Sequence, residues 1–255
     1  MEVFAEVAGS GPAVVLLHEG ICDSSMWDDQ WEPWSESFQL LRLDFRGFGR
    51  SPLDPVPLER LDHVPRVRVR IERAALVAVS MGGRVALEVA LARPELVSAL
   101  VLVAPGLPGH EWSDELRAQW AAEEAAFERG DLDAAVEVSL RTWVDGPRRA
   151  PEDVDPAVRS RVGEMQRRAY ELQREWVDEE PLVPDPAERL AEIEVRTFVL
   201  VGEEDQPDMQ TITERLAREI PGARFATIPA TAHVPSMERP REFDGLVLPF
   251  LEEAA

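Results

Sequence analysis

Apolar residues recur along this chain in runs of strand length, at residues 13–18, 38–44, 74–79, 96–103, 195–201 and 225–229. Most are continuous and not alternating, as expected of strands covered on both faces of a sheet. Between them the spacing changes. Residues 84–91 carry apolar positions at helical intervals and stop near Pro94, and 210–219 and 239–253 read the same way. Strands alternating with helices predict an α/β fold with a mainly parallel central sheet flanked by helices.

The stretch from 106 to about 185 breaks this rhythm, because no comparable apolar run occurs in it. Residues 115–129 and 132–143 read as helices, with Gly130 as the stop and Asp131 as the following N-cap. Residues 158–177 read as a longer amphipathic helix, closed off by Pro181 and Pro184. The expected organisation is a first core part (1–105), an inserted helical lid (106–185) and a second core part (186–255). Residues 61–71 follow another pattern, apolar positions alternating with arginine beyond Pro65, which reads as strand-like. Its two readings are a remodelled connection with solvated arginines and a basic patch for an anionic substrate.

Candidate chemistry begins at Ala78-Val79-Ser80-Met81-Gly82, where an apolar run meets a serine and then a helix. A serine on so sharp a strand-to-helix turn has its hydroxyl pushed outward, and this is a G-x-S-x-G elbow with alanine in the first glycine position. The backbone N–H of Met81 would then face an oxyanion formed at a carbonyl attacked by Ser80. By itself the motif is equally that of a structural turn. Acidic residues follow the run at 195–201, where open α/β sheets build their sites, and Glu203, Glu204, Asp205 and Asp208 are all candidates. Of the four histidines, His233 alone falls in a turn between a late strand and a final helix.

The order Ser80, Asp205, His233 and several short segments resemble the α/β-hydrolase superfamily, in the group containing 3-oxoadipate enol-lactonases and small bacterial esterases. The matching pieces are His18-Glu19-Gly20, similar to an H-G oxyanion loop, then Met26-Trp27, and the segment from Asp44 to Ser51. The G-x-x-D piece from Gly202 and the H-x-P-x-x-E-x-P piece from His233 complete the set. The resemblance implies the α/β-hydrolase fold, with Ser80 as nucleophile, His233 as base and Asp205 as its acidic partner. It also implies an oxyanion hole of backbone N–H groups at Met81 and near Gly20. Glutamate stands at 19 where the family has glycine; a carboxylate there would oppose an oxyanion, so Glu19 is expected to point away. His18 is expected to shape its loop. The pocket is expected to include Ile21, Trp143, Arg141 and Val234, with the other lid tryptophans mainly packing.

Composition narrows the partners. A formal charge of −22 argues against nucleic acid and anionic membranes. No apolar run approaches the roughly 18 residues of a membrane helix, and the first residues lack the basic stretch of a signal peptide. The single cysteine, Cys22, fits a reducing compartment, so a cytoplasmic location is expected. No cofactor or metal is expected. The expected activity is hydrolysis of a small ester or lactone, short and uncharged, through an acyl-enzyme. A carbon–carbon bond hydrolase or a cofactor-free haloperoxidase (perhydrolase) would carry the same motifs, and a non-catalytic binding protein is the third class.

Overall fold

A computed structural model describes residues 3–53, 72–173 and 182–254. Among these residues seven strands form one sheet: β1 Ala5–Ala8, β2 Ala13–Leu17, β3 Gln39–Leu43, β4 Ala74–Val79, β5 Val97–Val103, β6 Thr197–Gly202 and β7 Arg224–Ile228. Their spatial order is β1-β3-β2-β4-β5-β6-β7. β1 lies antiparallel on β3 and every other pair is parallel. This is the α/β-hydrolase fold expected from the sequence.

The helices are α1 Asp28–Ser35, α2 Met81–Ala92, α3 Asp114–Glu128, α4 Leu132–Ser139, α5 Pro156–Leu172, α6 Pro207–Glu219, α7 Pro235–Glu238 and α8 Pro240–Ala254. Alternate residues of the central strands feed two cores. Leu16, Val77, Val79, Val101 and Leu200 meet Trp27 and Trp34 from the α1 side and Phe243, Val247 and Phe250 of α8. Leu17, Leu76, Ala78, Leu102 and Val201 meet Val85 and Val89 of α2 and Ile212 and Leu216 of α6. A strand with both faces covered can spare no polar position, and all six residues of β4 are buried.

Register brings the carboxyl ends of the strands level: Leu17 lies beside Ala78, Val79 beside Val103, Val103 beside Leu200, and Gly202 beside Ile228. The loops that follow these strands therefore leave from one edge of the sheet, the usual place for a site in an open α/β sheet.

Helices α3 to α5 come from the segment between β5 and β6. Asp131 caps α4 by accepting from Ala134 N, after Gly130 at φ +74°. The helix expected over 132–143 stops at Ser139 and widens into a π-helical turn over Leu140–Asp145. Two carbonyls of this turn bond to other segments, so the helix does not run on past it: Gln206 Nε2 donates to Thr142 O at 2.6 Å and His233 N to Trp143 O at 3.2 Å. Such turns are frequent near functional sites. α5 starts two residues earlier than the apolar spacing indicates, with Asp155 as N-cap and Pro156 in its first turn. The continuation to 177, the closing Pro181, Trp176 and the alternating segment 61–71 lie outside the described residues. The last helix expected over 239–253 is α8, and the short α7 precedes it.

Candidate active site

Ser80 occupies the turn between β4 and α2 with φ +50° and ψ −108°, a left-handed conformation that a side chain rarely adopts. Its backbone is held on both sides: Ser80 N donates to Val103 O at 3.0 Å, and Ser80 O accepts from Arg84 N and Gly106 N, each at 2.9 Å. The sharpness of the turn explains the two glycines after it. A Cβ at Gly82 would meet His18 O at 2.7 Å, and one at Gly83 would meet Pro105 Cβ at 2.6 Å. Met81 is the first residue of α2, so its N–H is among the first-turn donors that have no acceptor within the helix.

The candidate acid and base come from the loops after β6 and β7. Asp205 and His233 are both buried, with Asp205 Oδ2 2.9 Å from His233 Nδ1. The second Asp205 oxygen accepts from Gln206 N at 2.8 Å, which fixes the carboxylate plane. Gly202 lets the two loops touch, because a Cβ there would lie 2.0 Å from Ala232 O. The other acids of the loop have different partners: Glu203 accepts from Ala230 N, Glu204 pairs with Arg148, and Asp208 accepts from Ser113 and His110. Glu238, buried beside Arg149 at 2.6 Å, accepts from Ala232 N at 2.7 Å and so braces the residue before His233. The glutamate of the H-x-P-x-x-E pattern thus has a supporting role.

Ser80, His233, Gly20, Ile21 and Trp143 line one cavity of about 470 Å³. A Cβ at Gly20 would lie 3.9 Å from that of Met81, so the loop after β2 packs directly beside the start of α2. His18 shapes that loop: Nδ1 donates to Glu19 O at 2.7 Å, and Nε2 accepts from Phe45 N at 2.9 Å. Asp44 accepts from Ser24 N and Arg50 N; burial opposes its charge, but these hydrogen bonds outweigh it and hold its pKa below the ordinary value. The Asp44–Ser51 segment is thereby a brace for the loop.

Trp143 stands over His233 with ring centroids 4.5 Å apart, and Trp120 follows at 6.4 Å from Trp143. Both line the cavity, whereas Trp112 packs behind Trp120 at 5.1 Å. Two expected pocket residues lie elsewhere. Arg141 is half exposed on the outside of the insertion, 3.0 Å from Glu137 and 3.6 Å from Asp145. Val234 is buried in the core on the α8 side, because its position begins α7.

Glu19 does not point away. It is buried and lines the cavity, with Oε2 3.5 Å from His233 Nε2 and Oε1 accepting from Cys22 Sγ at 3.1 Å. A tight turn, closed by Cys22 N on Glu19 O at 3.4 Å, directs the side chain inward to these two partners. Burial pushes its pKa up to about 7, against the opposing pull of His233 and the Cys22 hydrogen bond. Burial also disfavours the charged form of His233, but the carboxylates of Asp205 and Glu19 outweigh it and raise its pKa. Glu19, Glu123, Gln166 and Tyr170 line the cavity without having been legible as site residues, since no local pattern marks them.

A serine on a strained strand-to-helix turn that shares a cavity with a carboxylate-bonded histidine is the arrangement of a hydrolase. The profile of the Alpha/beta hydrolase family matches residues 14–245, and the chain belongs to that family of enzymes. A pimeloyl-[acyl-carrier protein] methyl ester esterase of Nitrosomonas europaea is 38% identical over 104 residues, 40% of this chain and 40% of that protein's length. Carboxylesterase YbfK of Bacillus subtilis is 24% identical over 98% of this chain and 83% of its own. Among solved structures, the enol-lactonase from Burkholderia xenovorans superposes with a TM-score of 0.77 at 23% identity, covering 98% of this chain and 96% of that one, a likeness of fold. No helix among the described residues is long and apolar enough to cross a membrane.

Proposed function

We propose that this enzyme is a serine hydrolase that cleaves small carboxylic esters or lactones through Ser80, His233 and Asp205. The observation that carries the reading is the 2.9 Å contact of Asp205 Oδ2 with His233 Nδ1, in a cavity that Ser80 also lines. Membership in a family whose relatives are named esterases supports it.

A serine hydroxyl attacks a carbonyl only as a base takes its proton. His233 Nε2 would accept that proton while the Ser80 Oγ–carbonyl bond forms and the carbonyl electron pair moves onto oxygen. The N–H groups of Met81 and of the Gly20 loop would hold the oxyanion. Collapse of the intermediate expels the alkoxide, which takes the proton from His233, and leaves an acyl-Ser80 ester. Water, deprotonated by the same nitrogen, then releases the acid and restores the serine. Asp205 would keep the Nδ1–H tautomer and stabilise the imidazolium.

The test is labelling with a fluorophosphonate probe alongside turnover of p-nitrophenyl acetate, in wild type and Ser80→Ala. Wild type is expected to do both. The variant is expected to label no further and to lose turnover by three or more orders of magnitude, about the loss of a triad member elsewhere. Retention of a tenth of the activity overturns the assignment of the nucleophile. Labelling without ester turnover points to a carbon–carbon bond hydrolase or a perhydrolase on the same residues.

A further inference from the structure

We propose that Glu19 is a catalytic residue whose neutral carboxyl donates a hydrogen bond from Oε2 to the leaving-group oxygen of the ester. The proposal rests on the reading of Ser80, His233 and Asp205 given above and adds one side chain to it.

Geometry puts Glu19 on the leaving-group side. To take a proton from His233, the alcohol oxygen must come within hydrogen-bond reach of Nε2. Glu19 Oε2 lies 3.5 Å from that nitrogen, in the cavity that Ser80 also lines. The gap is wider than an ordinary hydrogen bond of about 2.7–3.2 Å, so one ester oxygen can touch both atoms. In the mechanism above the oxyanion is held elsewhere, by backbone N–H groups.

The partners of Glu19 decide which oxygen carries the proton. Cys22 Sγ donates to Oε1 at 3.1 Å. Burial, followed by the charge of Glu19, pushes the Cys22 thiol well up, so it stays S–H and remains a donor. Oε1 is therefore the acceptor, and the acid proton belongs on Oε2. On the imidazole, Nδ1 is committed to Asp205 at 2.9 Å, which leaves Nε2 as the free base.

The surroundings keep that proton in place. Burial acts most strongly on Glu19 and holds its pKa at about 7; His233 and the Cys22 hydrogen bond lower it, and Asp205 and Glu238 raise it. Glu123 and Glu124 of α3 line the same cavity and bring no positive charge. The pull of His233 exists only while the imidazole is charged, so with the base free the carboxyl holds its proton more firmly. When Nε2 takes the serine proton, the new imidazolium makes Oε2–H a better donor, just as charge builds on the departing oxygen. Glu19 gives up no proton. The Ser80 Oγ–acyl bond replaces the acyl–alcohol bond, and the alcohol leaves with the serine's proton, passed on by His233. An ionised carboxylate in the same position would instead repel the alkoxide.

The experiment compares ethyl acetate with trifluoroethyl acetate, which share an acyl group and differ little in size. Trifluoroethoxide is the better leaving group and depends less on a donor. kcat/KM is measured for both at pH 6 and pH 9 in wild type, Glu19→Gln and Glu19→Met. The ethyl-to-trifluoroethyl ratio cancels both the titration of His233 and the amount of folded enzyme. In wild type it should fall about tenfold between the two pH values, the effect of one hydrogen bond to a developing charge. Glu19→Gln can keep its carbonyl on Cys22 and offer N–H in place of Oε2–H, so its ratio should stay at the wild-type pH 6 value throughout. Glu19→Met, of similar length but with no donor, should give the low ratio at both. A pH-independent wild-type ratio, or a Glu19→Met ratio equal to wild type at pH 6, overturns the role of Glu19 and leaves the triad reading standing. The wild-type ratio decides alone if Glu19→Met does not fold. Turnover of neither acetate by wild type overturns the proposal, and absence of fluorophosphonate labelling as well overturns the triad reading beneath it.

Discussion

Glu19 Oε2 lies 3.5 Å from Nε2 of His233, while Asp205 Oδ2 lies 2.9 Å from the ring's other nitrogen. The imidazole is thus placed between two buried carboxylates. In the proposed mechanism Nε2 takes the serine proton, so a charge beside it bears directly on when the base is free.

The first consequence is a shift in pH dependence. The acid limb of kcat/KM reports the base of the free enzyme. His233 is lowered by burial and raised by Asp205, Glu19 and Glu238, in that order. Glu19→Gln removes one raising charge and keeps the shape. The acid limb should therefore move to lower pH. An unmoved limb in a pH–rate profile would show that Glu19 and the base are uncoupled.

A second consequence concerns stability. Glu19 has a folded-state pKa of about 7 against an ordinary 4.5. The folded state thus binds the extra proton, and stability from this group is full below 4.5 and lost as pH rises through 7. Glu19→Gln should unfold at the same urea concentration as wild type near pH 4.5. At pH 8 it should be more stable, by on the order of 2–3 kcal/mol. Urea titrations at the two pH values check this, and a variant less stable at pH 8 would contradict it.

The acid can be separated from its neighbours. Asp205→Asn should lower kcat by about 10⁴ with KM little changed, since the imidazole would be held in the wrong tautomer. Asp208→Asn should spare kcat and instead reduce thermal stability, because Asp208 Oδ2 accepts from Ser113 Oγ at 2.6 Å and Oδ1 from Ser113 N at 2.8 Å. Parallel kinetics and melting curves on the two variants decide it, and a larger kcat loss in Asp208→Asn would move the acid.

The sequence discloses most of the sheet because parallel strands buried on both faces must be apolar throughout, as β4 is. It discloses Ser80 and His233 because each sits at a strand end where the chain has to turn. Asp205 required a spacing argument among four acids, and of the four it is the one hydrogen-bonded to His233. Glu19 was misjudged for a physical reason: a carboxylate beside an oxyanion is unfavourable as a charge, but burial holds its pKa near 7 and lets it be neutral. Arg141 was misplaced because its neighbour in sequence, Trp143, faces the cavity, and the π-helical turn directs the arginine to Glu137 outside. Glu123, Gln166 and Arg149 depend on packing between distant segments, for which no local pattern exists.

The last prediction tests the brace behind His233. Arg149 is mostly buried and donates to three backbone carbonyls, Val144 O at 2.6 Å, Asp145 O at 2.9 Å and Ala230 O at 3.0 Å, as well as to Glu238 Oε2 at 2.6 Å. It therefore ties the π-helical turn under Trp143 to the loop that carries His233. Glu238→Gln leaves the hydrogen-bond acceptor for Ala232 N but removes the carboxylate facing the guanidinium. Breaking one side of a buried ion pair costs about 3–5 kcal/mol where nothing else compensates; the three carbonyls solvate the guanidinium in part, so about 2 kcal/mol is expected. The His233 loop should loosen with it. A displacement of the base lowers the rate of the chemical step more than substrate binding, so kcat should fall by about tenfold with KM within twofold. Urea unfolding and steady-state kinetics on the same preparation read both effects. Unchanged stability with unchanged kcat would show that the Arg149–Glu238 pair does not brace the histidine.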